Sequence, residues 1–320
     1  MAVDAALLGC AYAMDRLVGD PEWCPHPVRA IGRLITAGES IAKPGRHSPA
    51  RDLFHGALLT AIVVVATTAV AVLALRVGRQ VHPAVAWVTE ALLAWTVLAT
   101  GSLLTEARSV IQALEEGDLV SARARLARIV GRDTATLTES EVARAVVETL
   151  AESTCDGVVA PLCYLVAGGV PAALAYKAVN TLDSMIGHRA PPYTYFGRVA
   201  ARLDDLANLV PARLTALAIT MAAACTGQSA AGALRVWRRD HARHDSPNAG
   251  HPEAAMAGAL GVRLGGTNYY DGVPTPRPVL APGSAQPTIE AARAACRVVA
   301  AASLGVFGVA LLIQLVRHGR

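Results

Sequence analysis

The chain has 320 residues, 53% hydrophobic and only 17% charged, with a net charge of +4 and a mean hydropathy of +0.39. A soluble domain carries about 25% charged residues, so this composition argues for a bilayer rather than for two soluble domains. The small net charge, with no long Lys/Arg run and no Arg–aromatic interleaving, excludes nucleic acid as the partner.

The first apolar run, Val3–Met14, is too short to cross a membrane comfortably. It does not read as a signal peptide, because Asp4 stands where a basic n-region belongs and Asp15 and Arg16 follow at once. Arg16–Asp52 is rich in Pro, Gly, Arg and His and reads as loop. Leu53–Leu75 carries no formal charge and Ala84–Leu104 carries only Glu90. Both have the length of a span, and the short link with Arg76 and Arg79 suits a helical hairpin. Thr105–Ala145 reads as polar helix, with Leu114, Leu119, Ala122, Leu126 and Val130 at near-helical spacing. Gly117-Asp118 and Gly131-Arg132-Asp133 punctuate it.

Val146–Val170 is apolar but holds Glu148, Glu152 and Asp156; Ala207–Thr226 holds Pro211 and Arg213. Gln228–Arg297 opens as a basic helix (Arg235, Arg238, Arg239) and becomes Gly/Pro/Asn-rich from Ser246 to Pro287, without strand alternation. Val298–Val316 is the third clear span, ending in Arg317, His318 and Arg320. The six cysteines form no C-x-x-C and read as small buried hydrophobes. The expected fold class is all-α, a single polytopic membrane-embedded domain over residues 1–320. About 4–6 helices are embedded, at 3–14, 53–75, 84–104, 146–170, 207–226 and 298–316. Some are broken or re-entrant, and helical polar loops join them.

The chain holds no G-x-x-x-x-G-K-[ST], G-x-G-x-x-G, H-E-x-x-H or G-x-S-x-G, so the standard nucleotide, zinc-protease and hydrolase readings lose support. Glu148, Glu152 and Asp156, spaced four and four, share one helix face. Each ionised acid at mid-bilayer costs about 2.5–3.5 kcal/mol, so the three need cations, a metal or a polar substrate. The bland alternative is a solvated acidic face. Lys177, Asn180, Thr181 and Ser184 fall on one face as a stripe of donors that suits phosphate or carboxylate; Asp183 is close but rotated away. In Arg202–Arg213, Asp204, Asp205 and Asn208 are good oxygen ligands for Mg²⁺, with Arg202 and Arg213 as phosphate contacts. Asp20, His26 and Arg29 sit among prolines that fix the backbone, and Ser246–Glu253 (SPNAGHPE) reads as a turn-rich acceptor loop with Ser246, Asn248 and Glu253.

At these blocks the chain resembles the adenosylcobinamide-phosphate synthase family, called CobD or CbiB. The matching pieces are D-x-x-x-G-D-P at Asp15–Pro21, H-P-V-R-x-I-G at His26–Gly32 and E-T-L-A-E-S-x-x-D-G at Glu148–Gly157. K-A-x-N-T-L-D-S-M-x-G at Lys177–Gly187 and F-G-x-x-x-A-R-x-D-D at Phe196–Asp205 follow, then N-x-x-P-A-R at Asn208–Arg213 and S-P-N-A-G-x-P-E at Ser246–Glu253. They run in order over most of the chain and are specific together, though each alone is weak.

The resemblance implies an ATP- and Mg²⁺-dependent amide ligase of cobalamin biosynthesis. Such enzymes join (R)-1-aminopropan-2-ol or its O-phosphate to a propionate carboxylate of adenosylcobyric acid, an adenosylated corrinoid. Mg²⁺ is expected on Asp204 and Asp205, with Glu148, Glu152 and Asp156 as a second acidic group. Lys177, Arg202 and Arg213 are expected on phosphates, and an acid or His26 as acceptor of the amine proton; Asp183 joins this catalytic set. Asp20, Arg29, Asn180, Thr181, Ser184, Asn208, Ser246, Asn248 and Glu253 are the expected binding residues. ATP is cytoplasmic, so the active site is expected on the cytoplasmic side of the inner membrane, beside other late cobalamin-pathway membrane enzymes. For Lys177–Asp205 to share that side, Val146–Val170 must break or re-enter at Gly168, Gly169 and Pro171. The alternative readings are a membrane transporter and a non-catalytic sensor or assembly protein of the AmpE type.

Overall fold

Caps and prolines set where the first helices begin. The computed structural model describes residues 3–21, 26–188 and 190–318. Helix α1 (Ala5–Val18) starts where the Asp4 carboxylate accepts the Leu7 N–H at 2.7 Å. Helices α2 (Pro27–Ala42), α3 (Pro49–Val81) and α4 (Pro83–Trp95) each begin on a proline, which lacks the N–H that a first turn leaves unpaired. His26 and His82 cap α2 and α4 through Nδ1, at 3.3 and 3.2 Å. The segment Arg16–Asp52, read as loop, therefore contains a four-turn helix. Its Pro and His, taken as loop signals, are the N1 residue and cap of α2.

The chain continues through α5 (Thr100–Glu115), α6 (Leu119–Leu126), α7 (Glu139–Thr154) and α8 (Ala160–Ile186). A π-helical turn, Cys155–Val159, separates α7 from α8. Then come α9 (Tyr193–Phe196), α10 (Arg198–Ala207), α11 (Leu209–Cys225), α12 (Ala230–Asp240) and α13 (Gly250–Leu260). Strands β1 (Leu264–Tyr270) and β2 (Val273–Leu280) pair antiparallel before the last helix, α14 (Ile289–His318).

Four stretches are long and apolar enough to cross a membrane: Pro49–Val81, Pro83–Glu115, Glu139–Ile186 and Ile289–Arg317. Arg198–Ala207 with Leu209–Cys225 makes a fifth if that bent pair is one broken span. The protein is thus an all-α, multi-pass membrane protein. Phe54, Leu58, Ile62, Val65, Val70, Leu73, Val77 and Val81 of α3 are exposed, the outward apolar face that lipid covers. In the third stretch Gly169 takes φ 71°, ψ −164°, a conformation open to glycine, and breaks the helical path of α8 two residues before Pro171. The break expected from Gly168, Gly169 and Pro171 is present.

The chain forms two compact units. The first comprises Met1–Ala99, Ala160–Asn208 and Val309–Arg320. Its core gathers Ile31 and Ile35 of α2, Leu59 and Val63 of α3, Leu182 and Ile186 of α8, and Phe196. Gly56 lies against the Phe196 carbonyl, where a Cβ would collide. The second unit comprises Thr100–Val159 and Leu209–Gly308. Leu104, Ile111, Leu114 and Leu126 pack there with Val146, Leu150, Ile219, Met256, Leu264 and Val299. Helices α12 and α13 approach at Gly232 and Gly258, each of which faces the other's carbonyl oxygen with no room for a side chain.

The hairpin corrects the expectation that Ser246–Pro287 holds no strand. Pro274, Pro276 and Pro278 alternate along β2 and hide its pattern. A two-stranded sheet tolerates them because every other N–H faces away from the partner. Asp271 (φ 50°) and Gly272 (φ 76°) make the two-residue turn. Ser246–Glu253 is only half loop, because its last four residues form the first turn of α13. Of the cysteines, Cys10, Cys155, Cys163, Cys225 and Cys296 are free; Cys155 and Cys296 are buried, whereas Cys225 is exposed.

Candidate active site

Each unit carries a dense polar cluster. In the second unit it forms where β1 passes α7. A capping box between Thr138 and Glu141 starts α7 and directs Arg144 and Glu148 inward, one turn apart. The Glu148 carboxylate meets the Arg132 guanidinium at 2.5 Å and that of Arg144 at 3.4 Å, and accepts the Gly265 N–H at 2.8 Å. Arg144 also donates to the Gly265 carbonyl at 2.5 Å. The Asn268 side-chain oxygen takes one bond from each arginine, at 2.9 and 3.0 Å. Gly265 (φ 82°) and Gly266 (φ 98°) bend β1 so that its backbone faces these side chains. Arg132 is held from the other side: the Asp133 N–H donates to the Tyr269 carbonyl and the Gly272 N–H to Asp133, both at 2.8 Å.

Glu148 and Glu152 stand one turn apart on α7, and both act electrostatically on Glu253. Glu152 is exposed, and Asp156 lies in the π turn, where the extra residue breaks the four-and-four register. The side-chain partners of Glu148 are the guanidiniums of Arg132 and Arg144.

The first turn of α13 presents Glu253, which is buried, toward His244. The His244 Nε2–Glu253 Oε1 distance is 3.5 Å, and both side chains are nearly inaccessible. The Ser246 N–H donates to His244 Nδ1 at 3.0 Å, so a neutral His244 carries its proton on Nε2, facing Glu253. Burial, then the charges of Glu148 and Glu152, holds the Glu253 carboxyl well above its usual range, against the opposing pull of Arg277 and Arg132. Burial chiefly holds His244 below its ordinary value, with Glu152 opposing and Arg277 assisting. Ser246 Oγ accepts the N–H groups of Asn248 and Ala249 at 3.3 and 3.1 Å, leading the loop into α13. Behind α13, Trp237 Nε1 donates to His251 Nδ1 at 2.8 Å and His241 stacks on that ring at 4.5 Å. Burial first, then Arg213 and His241, pushes His251 down to about 4.

In the first unit, α8 and α10 meet through Asp204. Its two carboxylate oxygens accept from the Asn180 amide at 3.3 Å and the Asn208 amide at 3.0 Å. Tyr176 donates to the Asn208 oxygen at 3.0 Å and stacks on Tyr164 with ring centres 4.9 Å apart. Lys177 is close enough to act on Asp204 electrostatically, as does Asp205. Thr181 and Ser184 donate their hydroxyls to the Lys177 and Asn180 carbonyls of their own helix, at 2.7 and 2.9 Å. Asp183 is half-buried on the same helix, and Arg202 is exposed on α10.

The N-terminal trio also comes together in this unit. His26 Nε2 is 3.3 Å from Asp20, and Arg29 donates to the Pro21 carbonyl at 3.4 Å. His26 therefore has a structural duty as the cap of α2. In the second unit Arg213 is exposed on α11 and donates to the Leu209 carbonyl at 2.5 Å. Sequence reasoning missed Arg132, Arg144, His244, Asn268 and Arg277.

Among the described residues, no three or more His, Cys, Asp or Glu gather as a metal-binding group. Mg²⁺ needs no such cage, since it keeps several waters and takes one or two carboxylates plus phosphate oxygens. Asp204 fits that demand: each of its oxygens takes one amide proton and retains a lone pair, and Asp205 adjoins it.

The CobD/Cbib protein family model matches residues 8–299. The chain is 52% identical over 275 residues to the cobalamin biosynthesis protein CobD of Geobacter metallireducens, covering 86% of each chain. It is 45% identical to CobD of Klebsiella pneumoniae and 46% identical to CbiB of Salmonella arizonae, each over 268 residues and 84% of both chains. No solved structure matches. A family model spanning most of the chain, with relatives at this identity over most of their own length, leaves one assignment: the chain belongs to the CobD/CbiB family of cobalamin biosynthesis proteins.

Proposed function

We propose that this chain is the membrane amide ligase of the corrinoid pathway, joining (R)-1-aminopropan-2-ol or its O-phosphate to a propionate carboxylate of adenosylcobyric acid. The observation that carries the reading is the buried His244–Glu253 pair beside the Arg132–Glu148–Arg144 network, on a multi-pass scaffold of this family. Amide formation from a carboxylate and an ammonium is uphill in water, so the carboxylate must be activated and the amine must lose a proton.

ATP, the co-substrate, would transfer its terminal phosphoryl group to the propionate oxygen, releasing ADP and leaving an acyl phosphate. The amine nitrogen then attacks the acyl carbon, the C–N bond forms, and inorganic phosphate leaves with the electrons of the C–O bond. The nitrogen sheds protons in the process, and the His244–Glu253 pair is built to accept one. Burial disfavours the charged form of both members, raising the Glu253 carboxyl and lowering His244, so Glu253 is a stronger base than an exposed carboxylate. Arg277, whose guanidinium donates to the Tyr270 hydroxyl at 3.1 Å, adds positive charge opposite Glu253. Glu148 holds Arg132 and Arg144 in place.

In the first unit, Asp204 and Asp205 would hold Mg²⁺, with Asn180 and Asn208 orienting Asp204 and Lys177 contacting a phosphate. Bound there, Mg²⁺ supplies neutralisation of phosphate charge. We further propose that the protein sits in the inner membrane with both clusters reached from the cytoplasm, where ATP is.

Hydroxylamine trapping tests the activation step. Incubated with adenosylcobyric acid, ATP and hydroxylamine but no amine, the enzyme is expected to yield the corrinoid hydroxamate. ATP turnover without hydroxamate would remove the acyl phosphate.

A further inference from the structure

In the second unit α5 and α14 run antiparallel, as two contacts show. Thr100 Oγ1 lies 3.1 Å from Ser303 Oγ, both fully buried, and at the other end Arg293 Nε donates to Glu115 at 3.1 Å. Beside the second contact the helices form an open cleft of about 340 Å³. Ile111 and Cys296 form its apolar part, and Arg108, Gln112, Arg297 and the paired Glu115 and Arg293 its polar part. The apolar stretch Ala84–Leu104 ends one turn before Arg108, and Val298–Val316 begins one residue after Arg297. Both helices therefore change from apolar to basic at the level of the cleft, where a membrane surface lies.

The three arginines differ in their partners. Arg293 pairs with Glu115, whereas among the described residues neither Arg108 nor Arg297 has a carboxylate partner. Arg125 of α6 and Arg128 just after it are engaged: Arg125 donates to the Ser109 carbonyl at 2.6 Å and Arg128 meets Glu106 at 2.8 Å. Two exposed guanidiniums converge on a cleft at headgroup depth, which is the recognition chemistry of a phosphate group.

We infer that the cleft between α5 and α14 binds the phosphate of an anionic phospholipid headgroup through Arg108 and Arg297. The apolar side of the cleft and the flanking spans favour a lipid over free phosphate as its source. An anionic lipid held here would tie α5, and through Arg125 the helix α6, to the bilayer surface.

Native mass spectrometry of the full chain in neutral detergent tests this, with phosphatidylglycerol, phosphatidylcholine and inorganic phosphate as probes. Phosphatidylglycerol is expected to be retained about thirtyfold more tightly than phosphatidylcholine, as two surface arginines imply. R108Q/R297Q should bring the two lipids level, R108K/R297K should keep most of the preference, and R235Q/R238Q on α12 should leave it intact. An undiminished preference in R108Q/R297Q overturns the site, and displacement of the lipid by excess inorganic phosphate overturns the lipid as its source. Should the double variant misfold, the single variants R108Q and R297Q are read instead, and an unchanged preference in both overturns the site.

Discussion

Glu253 is the residue whose surroundings most constrain its role. Its carboxyl is buried, lies 3.5 Å from an imidazole and has Glu148 and Glu152 as anionic neighbours. As the proton acceptor at the amine, Glu253→Gln should lower kcat about 100-fold or more with KM for ATP little changed, measured under saturating substrates. An unchanged kcat would assign Glu253 to packing alone. Arg132 belongs to the framework. Arg132→Met should cost about 3–5 kcal/mol in detergent unfolding, because it leaves the buried Glu148 carboxylate short of a partner. His251 carries a sign that pH can read. Its folded value is pushed down to about 4, below the ordinary 6.5, so the unfolded chain binds the proton first. Stability should be full above about 6.5 and fall as pH drops from there toward about 4. His251→Gln should flatten that slope, and an equally steep acid loss in the variant would remove His251 as its cause. At this scale the acidic and amide residues were visible from spacing: Asn180, Asp204 and Asn208 were read on two helices and do meet. Arg132, Arg144 and His244, which meet Glu148 and Glu253, were not, because the two arginines are positioned by β1 and His244 by the turn before α13, neither of which has a motif of its own.

At the scale of elements, periodicity carried the long helices and failed at the short ones. The runs at 53–75 and 298–316 lie inside α3 and α14, and the glycine break expected near 168–171 occurs at Gly169. Helix α2 was hidden because its proline and histidine are start signals as well as loop signals. The hairpin was hidden by the three prolines of β2, although Asp271-Gly272 between Tyr270 and Val273 is a strong turn dipeptide. That omission mattered, since β1 supplies Gly265 and Asn268 to the Glu148 network. The contact of α12 with α13 depends on the absence of side chains at Gly232 and Gly258. Gly258→Val should destabilise the protein by about 1–3 kcal/mol through overpacking, read as a lower unfolding midpoint in detergent. No change in midpoint would mean that the two helices can part without cost.

For the whole molecule, membrane embedding was legible from composition, since 53% hydrophobic residues with 17% charged leave no room for two water-soluble domains. The grouping into two compact units was not, because each is assembled from segments far apart in the chain. A break at Gly169 within a stretch long enough to span bears on which side Lys177 faces. If the stretch re-enters, a cysteine at Lys177 should react with a membrane-impermeant maleimide from the same side as a cysteine at Arg125; labelling from opposite sides would make the stretch a full span. The central claim is the ligation itself. Its most direct test is the purified protein in detergent with adenosylcobyric acid, ATP, Mg²⁺ and either aminopropanol or its phosphate, followed by mass spectrometry of the corrinoid. We expect an ATP-dependent gain equal to the amine minus water, and the amine that gives it identifies the substrate. A folded protein that binds the corrinoid yet gives no product with either amine would contradict the ligase.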